Sequence, residues 1–121
     1  SKFDWLTTDP QIVSDYEQNP KNNFVFTASG FQALFTLVKL VSKNEWADKV
    51  PKDLPLFLIA GEEDPVGDYG KGVRKVCCRL VEAGIQDVAL HLYPEGRHEI
   101  LNESNRQDVY RDIICWMDSK L

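Results

Sequence analysis

Two short apolar runs of strand length, separated by a helical pattern, constrain the fold of this chain more than any other feature of the sequence. The runs are Leu56 to Ala60 and Val88 to Tyr93, the second with His91 inside it. The first is continuous, which is typical of a strand buried on both faces of a parallel sheet. Five residues at helical spacing form the predicted inward face of the intervening helix: Val73, Val76, Cys77, Leu80 and Val81. Gly84 should end that helix. The order predicts an α/β fold built on a right-handed βαβ unit.

The part of the chain before this unit is predicted to be helical. Asp9 and Pro10 have the character of an N-cap and a first helical residue, and that helix should end before Pro20. Residues 21–30 are the predicted linker. A second helix follows, with apolar residues on two of its sides: Phe31, Leu34, Phe35, Leu37, Val38, Leu40 and Val41. The change of character near Pro51 predicts an organisational boundary between residues 1–50 and residues 51–121.

A further amphipathic helix should close the α/β unit. Its apolar positions are Val109, Ile113, Trp116 and Met117. Ser104 and Gln107 have the spacing of a capping box, in which each side chain bonds the backbone N–H of the other residue, so we expect the helix to begin there.

Charge and composition exclude several classes of function. The chain has 14 basic and 19 acidic residues, a net charge of -5 and no basic run, which disfavours a nucleic-acid partner. No apolar stretch approaches the ~20 residues needed to cross a bilayer. Cys77 and Cys78 are sequence neighbours that do not easily bond to each other, and three cysteines is an odd number. We therefore expect a soluble, cytoplasmic chain with reduced thiols and no catalytic cysteine.

Polar residues follow both predicted strands. Asp64 lies in the loop GEEDPVGDYG after the first strand, and His98 lies in the loop PEGRHEI after the second. The carboxyl ends of parallel strands meet at the same edge of a sheet, and neighbouring strands are ~4.8 Å apart. A carboxylate from one loop can therefore reach an imidazole on the other and fix its tautomer and orientation.

At these residues the sequence resembles a known family. GEEDPVGDYGKGV and YPEGRHEILNE are similar to the acid loop and the histidine loop of α/β-hydrolases of the lysophospholipase and monoacylglycerol lipase branch, and the similarity extends from Leu54 to Leu121. The first 50 residues resemble the end of the helical cap of that branch. The resemblance implies the C-terminal portion of an α/β-hydrolase fold, preceded by a remnant of the cap.

The same resemblance implies roles for the two polar residues. Asp64 would be the acid of a Ser-Asp-His triad, and His98 the general base that deprotonates the nucleophile and later protonates the leaving group. The sequence contains no G-x-S-x-G, and the nearest segment, residues 27–30, lacks the first glycine. We therefore expect the nucleophilic serine and the oxyanion hole to lie in polypeptide that precedes Ser1, and this chain alone to be inactive.

Other residues have plainer interpretations beside a functional one. Glu62, Glu63 and Asp68 are carboxylates of the same loop, but the resemblance centres on the Asp-Pro step at Asp64. His91 lies within a predicted strand, and without further ligands we expect no metal there. Three apolar residues of the predicted cap helix are candidates for binding an acyl chain, although they equally fit a core: Phe31, Leu34 and Phe35. Arg97 and Glu99 are expected to be surface charges beside His98.

The expected activity is hydrolysis of a small carboxylic ester or lipid by a covalent acyl-enzyme route, without a cofactor. The alternatives are an epoxide hydrolase or dehalogenase, in which the nucleophile is an aspartate, an aminopeptidase-like hydrolase, or a non-catalytic module. Two parallel strands make a small sheet with exposed edges. The expected partner is therefore the missing N-terminal half, and the isolated chain should self-associate.

Overall fold

A computed structural model describes residues 1–22 and 24–121 of the chain, so that Asn23, within the predicted linker, lies outside the described residues. The helices and strands, in chain order, are α1 (Pro10–Gln18), α2 (Ala28–Val41), a 3-10 helix (Asn44–Lys49), β1 (Leu56–Gly61), α3 (Lys71–Glu82), β2 (Val88–Tyr93), a second 3-10 helix (Ile100–Asn102) and α4 (Arg106–Asp118).

The two strands pair in parallel, with α3 as the connection between them. The register runs from Leu56 opposite Val88 to Gly61 opposite Tyr93. This confirms the predicted strand, helix, strand order. The expectation that β1 is buried on both faces is wrong for the chain as described: Leu56 to Ala60 are half-buried, because two strands and the elements around them cover only part of each face.

Two small apolar clusters hold the elements together. Ala47, Leu80 and Ile85 are buried in the first, which joins the 3-10 helix before β1 to α3. Tyr93, Ile100 and Val109 are buried in the second, which joins the end of β2 to α4. The second cluster anchors the two ends of the loop that carries His98.

The helix ends follow the local sequence in part. Asp9 caps α1 through its side chain, which accepts hydrogen bonds from Gln11 N and Ile12 N, with Pro10 in the first turn. Gly84 follows the end of α3 with a φ of 89°, a conformation that favours glycine. These features confirm the predicted start of α1 and end of α3.

Three local predictions are wrong. The linker ends earlier than residue 30, because the Thr27 side chain accepts a hydrogen bond from Gly30 N and starts α2 at Ala28. The capping box does not form: α4 has Asn105 at its N-cap with no side-chain cap, and the Ser104 hydroxyl lies 3.1 Å from that of Thr8 instead. On α3, Leu80 is buried but Val76 and Val81 are exposed, since few elements pack on this helix.

The apolar side chains of α2 face solvent in the described part of the chain. Phe31, Leu34 and Phe35 are 40%, 41% and 63% exposed, and the Phe31 and Phe35 rings stack with centroids 6.0 Å apart.

None of the described helices has the length and apolar character needed to cross a membrane.

Candidate active site

Asp64 and His98 meet at the carboxyl-terminal edge of the two-stranded sheet. Both carboxylate oxygens of Asp64 lie 3.2 Å from Nδ1 of His98. Asp64 is 6% exposed, whereas 38% of the His98 side chain is exposed. A buried carboxylate on Nδ1 holds the imidazole in the tautomer whose Nε2 can accept a proton, and it stabilises the imidazolium that results.

The acid loop holds Asp64 through its own backbone. Val66 N–H donates to Asp64 Oδ1 at 2.9 Å, and Tyr69 N–H donates to the Asp64 carbonyl at 2.9 Å. A Cβ at Gly67 would lie 3.1 Å from Asp64 Oδ2, so the absence of a side chain there leaves room for the carboxylate. The carboxylate is therefore oriented by short-range contacts that do not involve the histidine loop.

The acid loop and the histidine loop cross in direct backbone contact. Glu62 N–H donates to Tyr93 O at 2.9 Å and Glu63 N–H donates to Gly96 O at 2.8 Å. At the crossing, a Cβ on Gly61 would lie 2.1 Å from Gly96 O and 2.4 Å from Arg97 O. Only glycine at position 61 permits this approach, which brings the two functional side chains within reach of each other.

The segment from Asp4 to Thr8 runs against the histidine loop on its other side. His98 N–H donates to Trp5 O at 3.3 Å, and Glu99 N–H donates to Leu6 O at 2.7 Å. The Trp5 ring lies against the His98 imidazole, with centroids 5.2 Å apart and planes tilted by 50°. The backbone and ring of the histidine are thus both supported by residues more than 90 positions earlier in the chain.

A buried glutamate joins this segment to the histidine loop. Glu103 is 1% exposed; its Oε1 accepts Arg97 N–H at 2.7 Å, and its Oε2 accepts Thr8 N–H at 2.8 Å and the Thr8 hydroxyl. The Thr7 hydroxyl lies 3.1 Å from Oε2. Burial alone would raise the pKa of the Glu103 carboxyl, but hydrogen bonds from Thr8, Arg97 and Thr7 outweigh it and lower the pKa below its ordinary value.

The remaining predicted residues lie outside this contact. Glu62, Glu63 and Asp68 are exposed. His91 is exposed on β2, where its ring stacks on that of Tyr93 at 4.4 Å. The described residues contain no group of three or more His, Cys, Asp or Glu side chains placed to hold a metal ion.

Arg97, predicted to be a surface charge, is half-buried and has structural contacts that the sequence did not indicate. Its guanidinium donates to the carbonyls of Asp4 and Thr7 and so ties the histidine loop to the earlier segment. Glu99 is half-buried, and its carboxylate accepts a hydrogen bond from Asn102 Nδ2 at 2.8 Å. Sequence reasoning missed Trp5 and Glu103 as well, because their partners are distant in the chain and no local pattern marks them.

The fold and the paired loops define part of an α/β-hydrolase. Residues 1–105 match the family described as serine aminopeptidase, S33, and the chain belongs to that family. The relatives that it matches narrow the class to α/β-hydrolases of the esterase and lipase type.

Among curated proteins, the chain is 27% identical over 119 residues to a monoacylglycerol lipase from Mycolicibacterium smegmatis, a match that covers 98% of this chain and 40% of that protein. Among solved structures, it is similar to a thermostable carboxyl esterase from Bacillus coagulans in complex with glycerol, with a TM-score of 0.83, 38% identity and coverage of 98% of this chain and 39% of the other. It also resembles a lipase in an open form, with a TM-score of 0.82, 32% identity and coverage of 98% and 40%. The chain therefore spans about 40% of the length of these relatives.

Proposed function

We propose that this chain supplies the acid and the base of a Ser-Asp-His triad in a carboxylic-ester hydrolase. Asp64 is the acid and His98 the general base, and the serine is in polypeptide outside these 121 residues. The observation that carries the proposal is the contact between the Asp64 carboxylate and His98 Nδ1 at 3.2 Å. Membership of a family of serine hydrolases supports the same assignment.

The proposed chemistry follows from this pair. In the acylation step, His98 Nε2 takes the proton of the serine hydroxyl as its oxygen bonds the ester carbonyl, and the imidazolium then returns that proton to the departing alcohol. Water is deprotonated in the same way to release the acid. Asp64 keeps its negative charge throughout, and it stabilises the imidazolium in both steps.

The proposed substrates are esters with a single acyl chain, such as a monoacylglycerol or a lysophospholipid. The relatives named a monoacylglycerol lipase, a carboxyl esterase and a lipase support this class. Phe31, Leu34 and Phe35 on α2 are the proposed acyl-chain contacts, supported by their exposure. Once the remaining polypeptide is present, one side of α2 would cover the substrate and another would pack on the protein.

The test compares the full-length polypeptide that carries this chain with residues 1–121 alone. We expect the full-length protein to hydrolyse p-nitrophenyl esters and to be labelled by a fluorophosphonate at a serine outside residues 1–121, and the 121-residue chain to do neither. Monoacylglycerol, lysophospholipid and an aminoacyl amide, assayed side by side, separate the lipase and aminopeptidase types of activity.

The two histidines of the chain provide a matched control. His98→Ala should lower kcat by at least ~10⁴-fold, because it removes the base of the triad. His91→Ala, on the exposed part of β2, should leave kcat unchanged. Labelling of a serine within residues 1–121, or full activity in His98→Ala, would refute the proposal. An aspartate in the upstream nucleophile position would replace it with an epoxide hydrolase or a dehalogenase.

A further inference from the structure

Glu103 is a buried carboxylate that the proposed triad does not use. Its two oxygens face in two directions: Oε1 binds the backbone N–H of Arg97, the residue before His98, and Oε2 binds the backbone and hydroxyl of Thr8. Burying a charged carboxylate is costly unless its oxygens are hydrogen-bonded, and these contacts meet that requirement. The arrangement places a fixed negative charge between the histidine loop and a segment 95 positions earlier in the chain.

We propose that Glu103 is a positioning residue for the general base: its carboxylate fixes the backbone of the histidine loop against Thr8, and so keeps His98 in contact with Asp64. The inference rests on the proposed function of His98. It assigns to Glu103 no contact with substrate.

The contacts of the two loops explain why this position needs a support of its own. The carboxylate of Asp64 is oriented by Val66 N–H within its own loop. His98, by contrast, has its N–H on the Trp5 carbonyl at 3.3 Å, a long hydrogen bond. The residues on either side are held by shorter bonds: Glu99 N–H donates to Leu6 O at 2.7 Å, and Arg97 N–H donates to Glu103 at 2.7 Å. Of these two, only the bond to Glu103 depends on a side chain, and it fixes the backbone that leads into His98. A shift of Arg97 would therefore move the imidazole relative to a carboxylate that does not move with it.

The isosteric change Glu103→Gln separates this role from simple filling of space. Both carboxylate oxygens accept from backbone N–H groups, of Arg97 and of Thr8, and neither N–H can turn away. A glutamine has one acceptor oxygen and one NH₂ group. In either orientation the NH₂ opposes a backbone N–H, so one end of the connection must open while the side-chain volume stays the same.

The experiment measures kcat, KM and the His98 Nδ1–H proton resonance in the full-length protein that carries this chain. We expect Glu103→Gln to lower kcat for ester hydrolysis by ~10- to 100-fold, the scale of a displacement of about 1 Å at the reacting groups. KM should stay within about twofold, because Glu103 does not touch substrate in this account. The low-field proton resonance of the Asp64–His98 hydrogen bond should shift or broaden. Glu99→Gln is the matched control and should change none of these, because the Glu99 carboxylate accepts from the Asn102 side chain within its own loop and not from the segment that carries Thr8.

A milder pair of variants decides the matter if Glu103→Gln does not fold. Thr8→Val removes the hydroxyl that donates to Glu103 and should lower kcat several-fold with KM unchanged. Thr8→Ser keeps the hydroxyl and should have the kcat of the unsubstituted protein. A folded Glu103→Gln with unchanged kcat and an unchanged proton resonance would overturn the inference, as would Thr8→Val with unchanged kcat. If His98→Ala keeps full activity, the proposed function fails. In that case the His98 Nδ1–H resonance, compared between the unsubstituted protein and Glu103→Gln, still reports whether Glu103 holds His98 in place.

Discussion

Replacement of Gly61 by alanine tests whether the crossing of the two loops brings Asp64 and His98 together. The added Cβ would lie 2.1 Å from Gly96 O, 2.2 Å from Gly96 C and 2.4 Å from Arg97 O. Each distance is at least about 1 Å short of the ~3.5 Å at which non-bonded atoms are in favourable contact. All three atoms belong to the backbone, so no side-chain rotation relieves the overlap. The histidine loop must move away from β1 by about 1 Å.

That displacement has a calculable effect on the Asp64–His98 contact. The two side chains are 3.2 Å apart, and a further 1 Å or so takes them beyond the ~3.5 Å limit of a hydrogen bond. We expect kcat of the full-length protein to fall by ~10²-fold, equivalent to ~2.7 kcal/mol of transition-state stabilisation. Overpacking at the crossing should also lower the free energy of unfolding by at least ~1–3 kcal/mol.

The assay is ester hydrolysis under saturating substrate, combined with urea unfolding of the same variants. Gly84→Ala is the matched control, because a Cβ there meets nothing within 4 Å and only the φ of 89° is unfavourable. It should cost ~1–2 kcal/mol of stability and leave kcat unchanged. A Gly61→Ala protein with the kcat of the unsubstituted protein would refute the reasoning, because the loops would then tolerate separation without loss of function.

Two further predictions concern the carboxylates of Asp64 and Glu103. Asp64→Asn should lower kcat of the full-length protein by ~10⁴-fold with KM little changed, because a neutral amide neither stabilises the imidazolium nor holds the correct tautomer. The control is Glu63→Gln, an exposed position on the same loop. A decrease of kcat below about tenfold in Asp64→Asn would count against the proposed role of Asp64 as the acid. The pKa of Glu103 is held below its ordinary value in the folded protein, so its stabilising contribution is present above the unfolded pKa and is lost as pH falls through the folded pKa. Urea unfolding as a function of pH should therefore show stability declining below about pH 5, and declining less steeply in Glu103→Gln; parallel curves for the two proteins would contradict this.

The strand, helix, strand order and the pairing of Asp64 with His98 could be predicted because both depend on local patterns. A continuous apolar run marks β1 and a mostly apolar run marks β2, and the geometry of parallel strands then places the loops that follow them at one edge of the sheet. The positions of the loops predict that a carboxylate can reach His98, and the resemblance to α/β-hydrolases at the Asp-Pro step selects Asp64 among the carboxylates of its loop.

The support around His98 could not be predicted in this way. Glu103 and Thr8 are far apart in sequence, and a single glutamate between two helices has the same appearance in the sequence whether it is exposed or buried. Ser104 illustrates the converse: its spacing to Gln107 matched a capping box, but its hydroxyl lies beside that of Thr8. A long-range contact thus outweighed a local propensity. The close approach at Gly61 is a further case, since any glycine after a strand is compatible with an ordinary turn.

The most direct test of the central claim is a crystal structure of the full-length protein inhibited by a phosphonate ester. We expect a phosphonylated serine from outside these 121 residues, with its Oγ within ~2.6–3.2 Å of His98 Nε2 and the Asp64 carboxylate on Nδ1 of the same ring. A phosphonylated serine with His98 turned away from it, or with a different carboxylate on the imidazole, would contradict the account.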